Sequence, residues 1–167
     1  MGDVERNSLE FWCGKIVNDP DLLPYHRIEN GKGILVTHCN IAVHRICRGM
    51  DYHNLEDKLA NDIRDYCAKN WITPHGEHKD KMLSAYNAGL LGDLAILAYS
   101  DKPHGHVVVV APRKPMLYSG KWGLYVPQVA NVGGFRKDGT PNCGIMGANY
   151  AFTIEIPEVY ILGKTII

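Results

Sequence analysis

The chain has 167 residues, and its 18 basic and 18 acidic side chains give a formal net charge of zero. A balanced charge creates no field that draws a protein to nucleic acid or to an anionic membrane, so we expect neither as a partner. The length suits a single domain, residues 1–167, with a core large enough to need no disulfide bridges. The five cysteines form no C-x-x-C pair, and their odd number leaves at least one thiol unpaired in the monomer.

The sequence lacks the apolar segments that signal export or membrane insertion. The first thirty residues carry charges throughout, and they contain no apolar core of signal-peptide length. No later run approaches the length of a membrane-spanning helix. We therefore expect a soluble chain without a signal peptide, either a mature form or a protein that leaves the cell by another route.

Helical patterns fill the first half of the chain. The first is SLEFWCGKIVN, with Ser8 as its N-cap. A stretch punctuated by proline and glycine, DPDLLPYHRIENGKGILV, leads to a second helix. Four residues share one face of this second helix at spacings of three and four. They are Cys39, Val43, Ile46 and Cys47.

Two more helical segments precede a change of pattern. They are NLEDKLANDIRDYCAKNW, with Asn54 as its cap, and HKDKMLSAYNAGLLG. After residue 92, short apolar or alternating runs are separated by Gly, Pro, Asp and Ser, which is typical of strands and turns. These runs are GDLAILAYS, GHVVVVAP, GLYVPQVANV and FTIEIPEVYIL. The order predicts an α+β fold in which N-terminal helices pack on a C-terminal antiparallel sheet.

Cys39 lies in the first turn of its predicted helix, within the stretch VTHCNIAVHRIC. The unpaired N–H groups and the positive end of a helix favour a thiolate, which predicts a lowered pKa and a nucleophile. The alternative is a structural thiol, because free cysteine is among the most buried residue types. Position alone leaves both interpretations open.

Two motifs occur in an order that resembles a known family. THCNIAVHRI places a cysteine at a helix start, and GDLAILAYSDKPHGHVVVVAP joins a Gly-Asp strand to a Gly-His strand that opens at His106. Over roughly residues 33–135, the chain resembles papain-like cysteine hydrolases of bacterial cell walls: NlpC-type and CHAP-type peptidases and the amidase effectors of type VI secretion. LANDIRDYCAKNW resembles the helix that such proteins carry between the two motifs. The resemblance implies a papain-like fold that hydrolyses an amide bond of peptidoglycan without a cofactor.

The resemblance also implies catalytic roles. Cys39 is the expected nucleophile, and His106 is expected to carry its proton to the leaving amine. For His106, the alternative is a partly exposed residue before a buried strand. The residue that orients the imidazole should lie on LYVPQVANVGG, where Gln128 and Asn131 cannot both face His106 because they are three apart. Asn131 is preferred, since an Asn before a glycine-rich turn resembles the CHAP pattern.

Residues around the nucleophile are candidates for oxyanion or substrate binding. The backbone N–H of Cys39 is expected to be unpaired at the helix start, so it is the first oxyanion donor to consider. His38 and Asn40 flank the nucleophile, and each is a candidate second donor or substrate contact. Tyr25 and Gln128 are further candidates, although Tyr25 is equally explained as a packing aromatic and Gln128 as a solvent-facing strand residue.

Several functions compete with the hydrolase interpretation. The segments HGEH and HGH suggest zinc, but they lack the metalloprotease spacing, so we expect no metal. The same site also suits a protein transamidase or deamidase, and a catalytically inactive cell-wall-binding module is the alternative from another class. The resemblance implies peptidoglycan or its peptide fragments as partner, and secretion or delivery to the bacterial cell wall or periplasm. A secreted effector would also have an inhibitory immunity protein.

Overall fold

The computed structural model describes residues 2–163 and contains both helices and antiparallel strands, which confirms the predicted α+β class. The α-helices are α1 (Gly2–Val17), α2 (Cys39–Gly49), α3 (Ala60–Asn70), α4 (His78–Leu90) and α5 (Ala148–Ala151). The strands are β1 (Tyr25–Glu29), β2 (Lys32–Val36), β3 (Ala95–Tyr99), β4 (His106–Val110), β5 (Leu117–Ser119), β6 (Leu124–Val126), β7 (Gln128–Phe135), β8 (Pro141–Gly147) and β9 (Glu158–Ile161).

A five-stranded sheet forms the centre of the fold, in the order β8–β7–β4–β3–β9. Every neighbouring pair in it is antiparallel. Two separate hairpins, β1–β2 and β5–β6, lie outside this sheet. Across residues 2–163, no helix has both the length and the apolar character that a bilayer span demands.

Apolar cores cover both faces of the central sheet. Alternation along β4 separates them, because successive side chains of a strand point to opposite faces. Val107 and Val109 belong to the core formed with α1, α2 and α3, whereas Val108 and Val110 belong to the core formed with α4 and β6. The first three helices therefore pack on one face, as expected of N-terminal helices, while α4 covers the other face.

Two predicted helix starts are wrong. Ser8 lies inside α1, which already begins at Gly2, so it is no cap. Asn54 does not cap the third helix, because α3 begins at Ala60 with Leu59 as its N-cap. The segment from Asn54 to the start of α3 is not helical throughout, because Asp57 adopts a φ of 60° in the left-handed region.

The strand boundaries show which local signals were overlooked. β1 and β2 form a hairpin around Asn30 and Gly31, whose φ angles of 51° and 75° suit the turn that Asn-Gly favours. The run GLYVPQVANV splits into β6 and β7 at Pro127, which has no N–H to donate. In FTIEIPEVYIL, only residues 158–161 form a strand, directly after a proline.

Candidate active site

Cys39 is the first residue of α2 and is 4% exposed. The first hydrogen bond of this helix runs from the N–H of Ala42 to the carbonyl of His38 at 2.9 Å. The three preceding N–H groups therefore have no acceptor within α2. His38 is the N-cap residue, and its side chain makes no capping hydrogen bond to α2 as the structure describes it. The thiol thus lies beside N–H groups that the helix leaves uncapped.

The expected lowering of the Cys39 pKa is wrong. Burial raises the pKa of the Cys39 thiol above its ordinary value, because an apolar core disfavours the thiolate. Hydrogen bonds from the backbone N–H groups of Val107, Asn40 and Cys39 itself lower this pKa, but they have the smaller effect. At rest the residue is a neutral thiol, so it needs a base to become a nucleophile.

His106 begins β4, and Asn131 of β7 holds its imidazole. The Nε2 atom of His106 lies 2.7 Å from Oδ1 of Asn131. The register that pairs Val109 with Ala130 sets Asn131 diagonally opposite His106 on one face of the sheet. Because an amide oxygen only accepts, Nε2 carries the proton, and Nδ1 is the ring nitrogen that can act as a base.

The neighbours of Asn131 decide which end of its amide faces the imidazole. Asn131 is fully buried, and its Nδ2 donates to the carbonyl of Asn142 at 2.7 Å and approaches the sulfur of Met146 at 3.5 Å. Gly133 leaves room for this bond, since a Cβ there would lie 3.1 Å from the Asn142 carbonyl oxygen. With Nδ2 held by β8, Oδ1 is directed to His106.

Burial also determines the charge state of His106. Desolvation lowers the pKa of the His106 imidazole below its ordinary value, and the hydrogen bond to Asn131 offsets part of this effect. Phe152 covers the ring, with 5.1 Å between ring centroids. Near neutral pH the imidazole is therefore uncharged and able to accept a proton.

The thiol and the imidazole both lie at the start of β4, but on opposite faces of the sheet. Val107, the residue directly after His106, belongs with Cys39 to the core formed with α1, α2 and α3, and its backbone N–H helps to lower the pKa of the Cys39 thiol. His106 shares the face of Val108, and its ring contacts Phe152 of the core formed with α4.

Thr37 lines both the cavity beside Cys39, about 360 Å³, and the cavity beside His106, about 790 Å³. Among the described residues, the sulfur takes its hydrogen bonds from the backbone and the ring is bonded to Asn131. Proton transfer between them therefore requires a rearrangement that brings the imidazole to the sulfur.

Gly105 and α3 position the start of β4. A Cβ at Gly105 would lie 2.3 Å from Oδ1 of Asn61 and 2.3 Å from the carbonyl oxygen of Tyr99. Asn61 also donates from Nδ2 to the carbonyl of Asp101 at 2.8 Å. The loop before His106 is therefore attached to α3, and only glycine fits at position 105.

Gln128 and Asn40 are both held by backbone carbonyls. Gln128 donates from Nε2 to the carbonyl of Pro115 at 3.1 Å, so Asn131 is the residue of the two that contacts His106. Asn40 lines the cavity beside the thiol, and its Nδ2 donates to the carbonyl of Lys58 at 3.0 Å. Asn40 thus ties α2 to the segment before α3.

His38 and Tyr25 pack together at the edge of the site. Nδ1 of His38 lies 3.2 Å from the carbonyl oxygen of Leu22. The ring of Tyr25 is half exposed, and its centroid lies 5.9 Å from that of His38. This contact favours the interpretation of Tyr25 as a packing aromatic.

The histidine-rich segment HGEH forms a helix start. Glu77 is the N-cap of α4. Its backbone N–H donates to Oδ2 of Asp80 at 3.0 Å, which completes a capping box. Within the part of the chain that the structure describes, no three His, Cys, Asp or Glu side chains group as metal ligands.

No protein-family model and no curated protein sequence matches this chain. Roles for Cys39, His106 and Asn131 therefore depend on the geometry described above and on the order of the motifs. The sequence reasoning did not find Asn61, because its contacts join α3 to the loop before β4 across about forty positions. It also missed Phe152, which follows α5 directly and packs against the ring of His106.

Proposed function

We propose that the protein is a papain-like cysteine hydrolase that cleaves an amide bond of peptidoglycan. The observation that carries the proposal is the 2.7 Å hydrogen bond between Nε2 of His106 and Oδ1 of Asn131, in a chain that also places a cysteine at the start of α2. Acyl transfer by cysteine needs a thiol, an imidazole that moves its proton and a polar group that orients the imidazole. Cys39, His106 and Asn131 supply these three parts.

The first half of the reaction forms a thioester. Once the imidazole has been brought to the sulfur, Nδ1 of His106 takes the proton of the thiol while the sulfur of Cys39 bonds to the carbonyl carbon of the scissile amide. The developing oxyanion is stabilised by the uncapped N–H groups at the start of α2. The imidazolium is stabilised by Oδ1 of Asn131. It then donates its proton to the leaving nitrogen, and the C–N bond breaks.

The second half returns the enzyme to its resting state. A water molecule loses a proton to Nδ1 of His106 and attacks the thioester carbon. The C–S bond breaks, the acyl group leaves as a carboxylic acid, and Cys39 regains its proton. Both groups begin neutral, because burial raises the pKa of the thiol and lowers that of the imidazole. His106 therefore acts as a general base, without a preformed ion pair.

The choice of peptidoglycan depends on the resemblance of the two motifs to cell-wall hydrolases. The two cavities that share Thr37 provide space on both sides of the site for the two halves of a substrate. On this proposal, the protein is secreted or delivered to the bacterial cell wall or periplasm, and an effector of this kind has an immunity protein as its inhibitor. The thiol, imidazole and backbone N–H groups supply the chemistry without a cofactor.

The proposal is tested on purified peptidoglycan by mass spectrometry of the released fragments. The wild-type protein should release fragments that have gained one water, and Cys39→Ala should release none while remaining folded. Cys47→Ala is the matched control, since Cys47 is a fully buried thiol two turns along the same helix. Full activity of Cys39→Ala would exclude the cysteine mechanism.

The same measurement separates the competing functions. Products that carry an amine in place of water indicate a transamidase. Binding to peptidoglycan without release of fragments by the wild-type protein indicates a binding module. Either result would overturn hydrolysis as the function.

A further inference from the structure

His106 lines two cavities that differ in charge. Asp101 and Glu155 line the smaller cavity of about 200 Å³. Arg136 and Lys137 line the larger cavity of about 790 Å³, and no carboxylate of the described chain lies among its lining residues. The cavity of about 360 Å³ beside the thiol differs, because its lining includes both a cation and an anion, Arg27 and Asp62. The two sides of the site therefore offer different electrostatic environments to a substrate.

The two cations are not neutralised by ion pairs within residues 2–163. Arg136 donates from Nε to Oδ1 of Asn142 at 3.3 Å, a neutral partner. Asp138 is the nearest acidic residue in sequence, but its carboxylate accepts from the N–H and hydroxyl of Thr140 at 3.0 and 2.6 Å. Arg136 lowers the pKa of Asp138 only as a lesser cause than these bonds.

The chemistry of the site and the size of the cavities assign the leaving half of the substrate. His106 gives its proton to the leaving nitrogen, so the fragment that departs as an amine lies on the His106 side. The cationic and the acidic cavity are both lined by His106 but not by Cys39. The cationic cavity, at about 790 Å³, has the usual size of a ligand site, whereas the acidic cavity, at about 200 Å³, is smaller than that. The leaving fragment is therefore assigned to the cationic cavity.

We infer that Arg136 and Lys137 bind a carboxylate on the leaving fragment, so that the preferred substrate carries a free carboxylate close to the scissile amide on its amine side. This inference rests on the proposed function and names the substrate chemistry of the same site. A guanidinium binds a carboxylate through two parallel N–H···O bonds, and the lysine adds a point charge. A neutral carboxamide of the same shape cannot pair with either cation.

The kinetic test compares two forms of one peptidoglycan stem peptide, with the carboxylates of the leaving half free or converted to carboxamides. The wild-type protein should cleave the acid form with a kcat/KM about tenfold higher, as expected for loss of one charged hydrogen-bonded contact. The double variant Arg136→Gln, Lys137→Gln should cleave both forms equally. Its rate on the carboxamide form should match that of the wild type, which also shows that it is folded. Arg27→Gln, in the cavity beside the thiol, is the matched control and should keep the preference.

A binding measurement separates failure of this inference from failure of the proposed function. Calorimetry on Cys39→Ala, which does not cleave, should show tighter binding of the acid form than of the carboxamide form. The difference should disappear when Arg136 and Lys137 are also replaced. Equal binding and equal cleavage of both forms by proteins with intact cations would overturn the carboxylate assignment. If the wild-type protein cleaves neither form, the proposed function fails, and the binding difference alone then decides whether the cavity holds a carboxylate.

Discussion

Replacement of Asn131 by alanine tests the part of the site that carries the proposal. The bond from Nε2 of His106 to Oδ1 of Asn131 is 2.7 Å long and becomes a charge-assisted bond once the ring takes the thiol proton. Such a bond contributes about 1.5–3 kcal/mol, which corresponds to roughly a 10- to 150-fold loss of turnover. Substrate binding should change little, because the gain occurs in the transition state.

The same substitution should also lower stability, and this effect must be separated from catalysis. Asn131→Ala leaves the carbonyl of Asn142 and the ring of His106 without a buried partner. Leaving a buried polar group unsatisfied costs about 1–3 kcal/mol of unfolding free energy. Urea denaturation should detect this loss, and turnover is then compared at a temperature where both proteins remain folded.

Two measurements check the prediction for Asn131. Initial rates of fragment release from peptidoglycan should fall for Asn131→Ala, whereas Gln128→Ala should behave like the wild type because Gln128 contacts Pro115. Titration of His106 by NMR should show a lower pKa in Asn131→Ala, since the bond to Asn131 raises it. Wild-type turnover with an unchanged histidine pKa would refute the role of Asn131, as would an equal loss in Gln128→Ala.

Three further predictions concern the base, its support and the thiols. Burial lowers the pKa of His106, so the imidazole stays neutral to a lower pH than an ordinary histidine does. The pKa that describes the loss of kcat/KM in acid should therefore lie below the ordinary histidine value of about 6.5. A value above about 6.5 for this pKa would contradict the general-base assignment. Gly105→Ala should lower the free energy of unfolding by about 1–3 kcal/mol, measured by thermal denaturation, and should reduce turnover. Gly120→Ala should leave both close to the wild-type values, because an added Cβ at Gly120 would have nothing within 4 Å. Iodoacetamide should modify Cys39 faster than Cys47 by peptide mapping, and His106→Ala should slow only Cys39; equal labelling of both thiols would count against activation.

Elements with a strong local signal were predictable from the sequence. Helical spacing predicted α2 with Cys39 in its first turn, and β-branched runs predicted β3 and β4. The two-residue period of a strand excluded a shared contact of Gln128 and Asn131 with His106. These features depend on neighbours within a few positions, so the order of residues determines them.

Tertiary packing decided the electrostatics and the support of the site. The helix start alone predicts a lowered pKa for Cys39, but burial against β4 raises it, and burial depends on segments distant in sequence. The sequence preferred Asn131 over Gln128, but the orientation of the Asn131 amide required the pairing of β7 with β8, because the Asn142 carbonyl takes the amide donor and leaves the oxygen for His106. Such contacts form only when distant strands pair, and no local pattern encodes their partners.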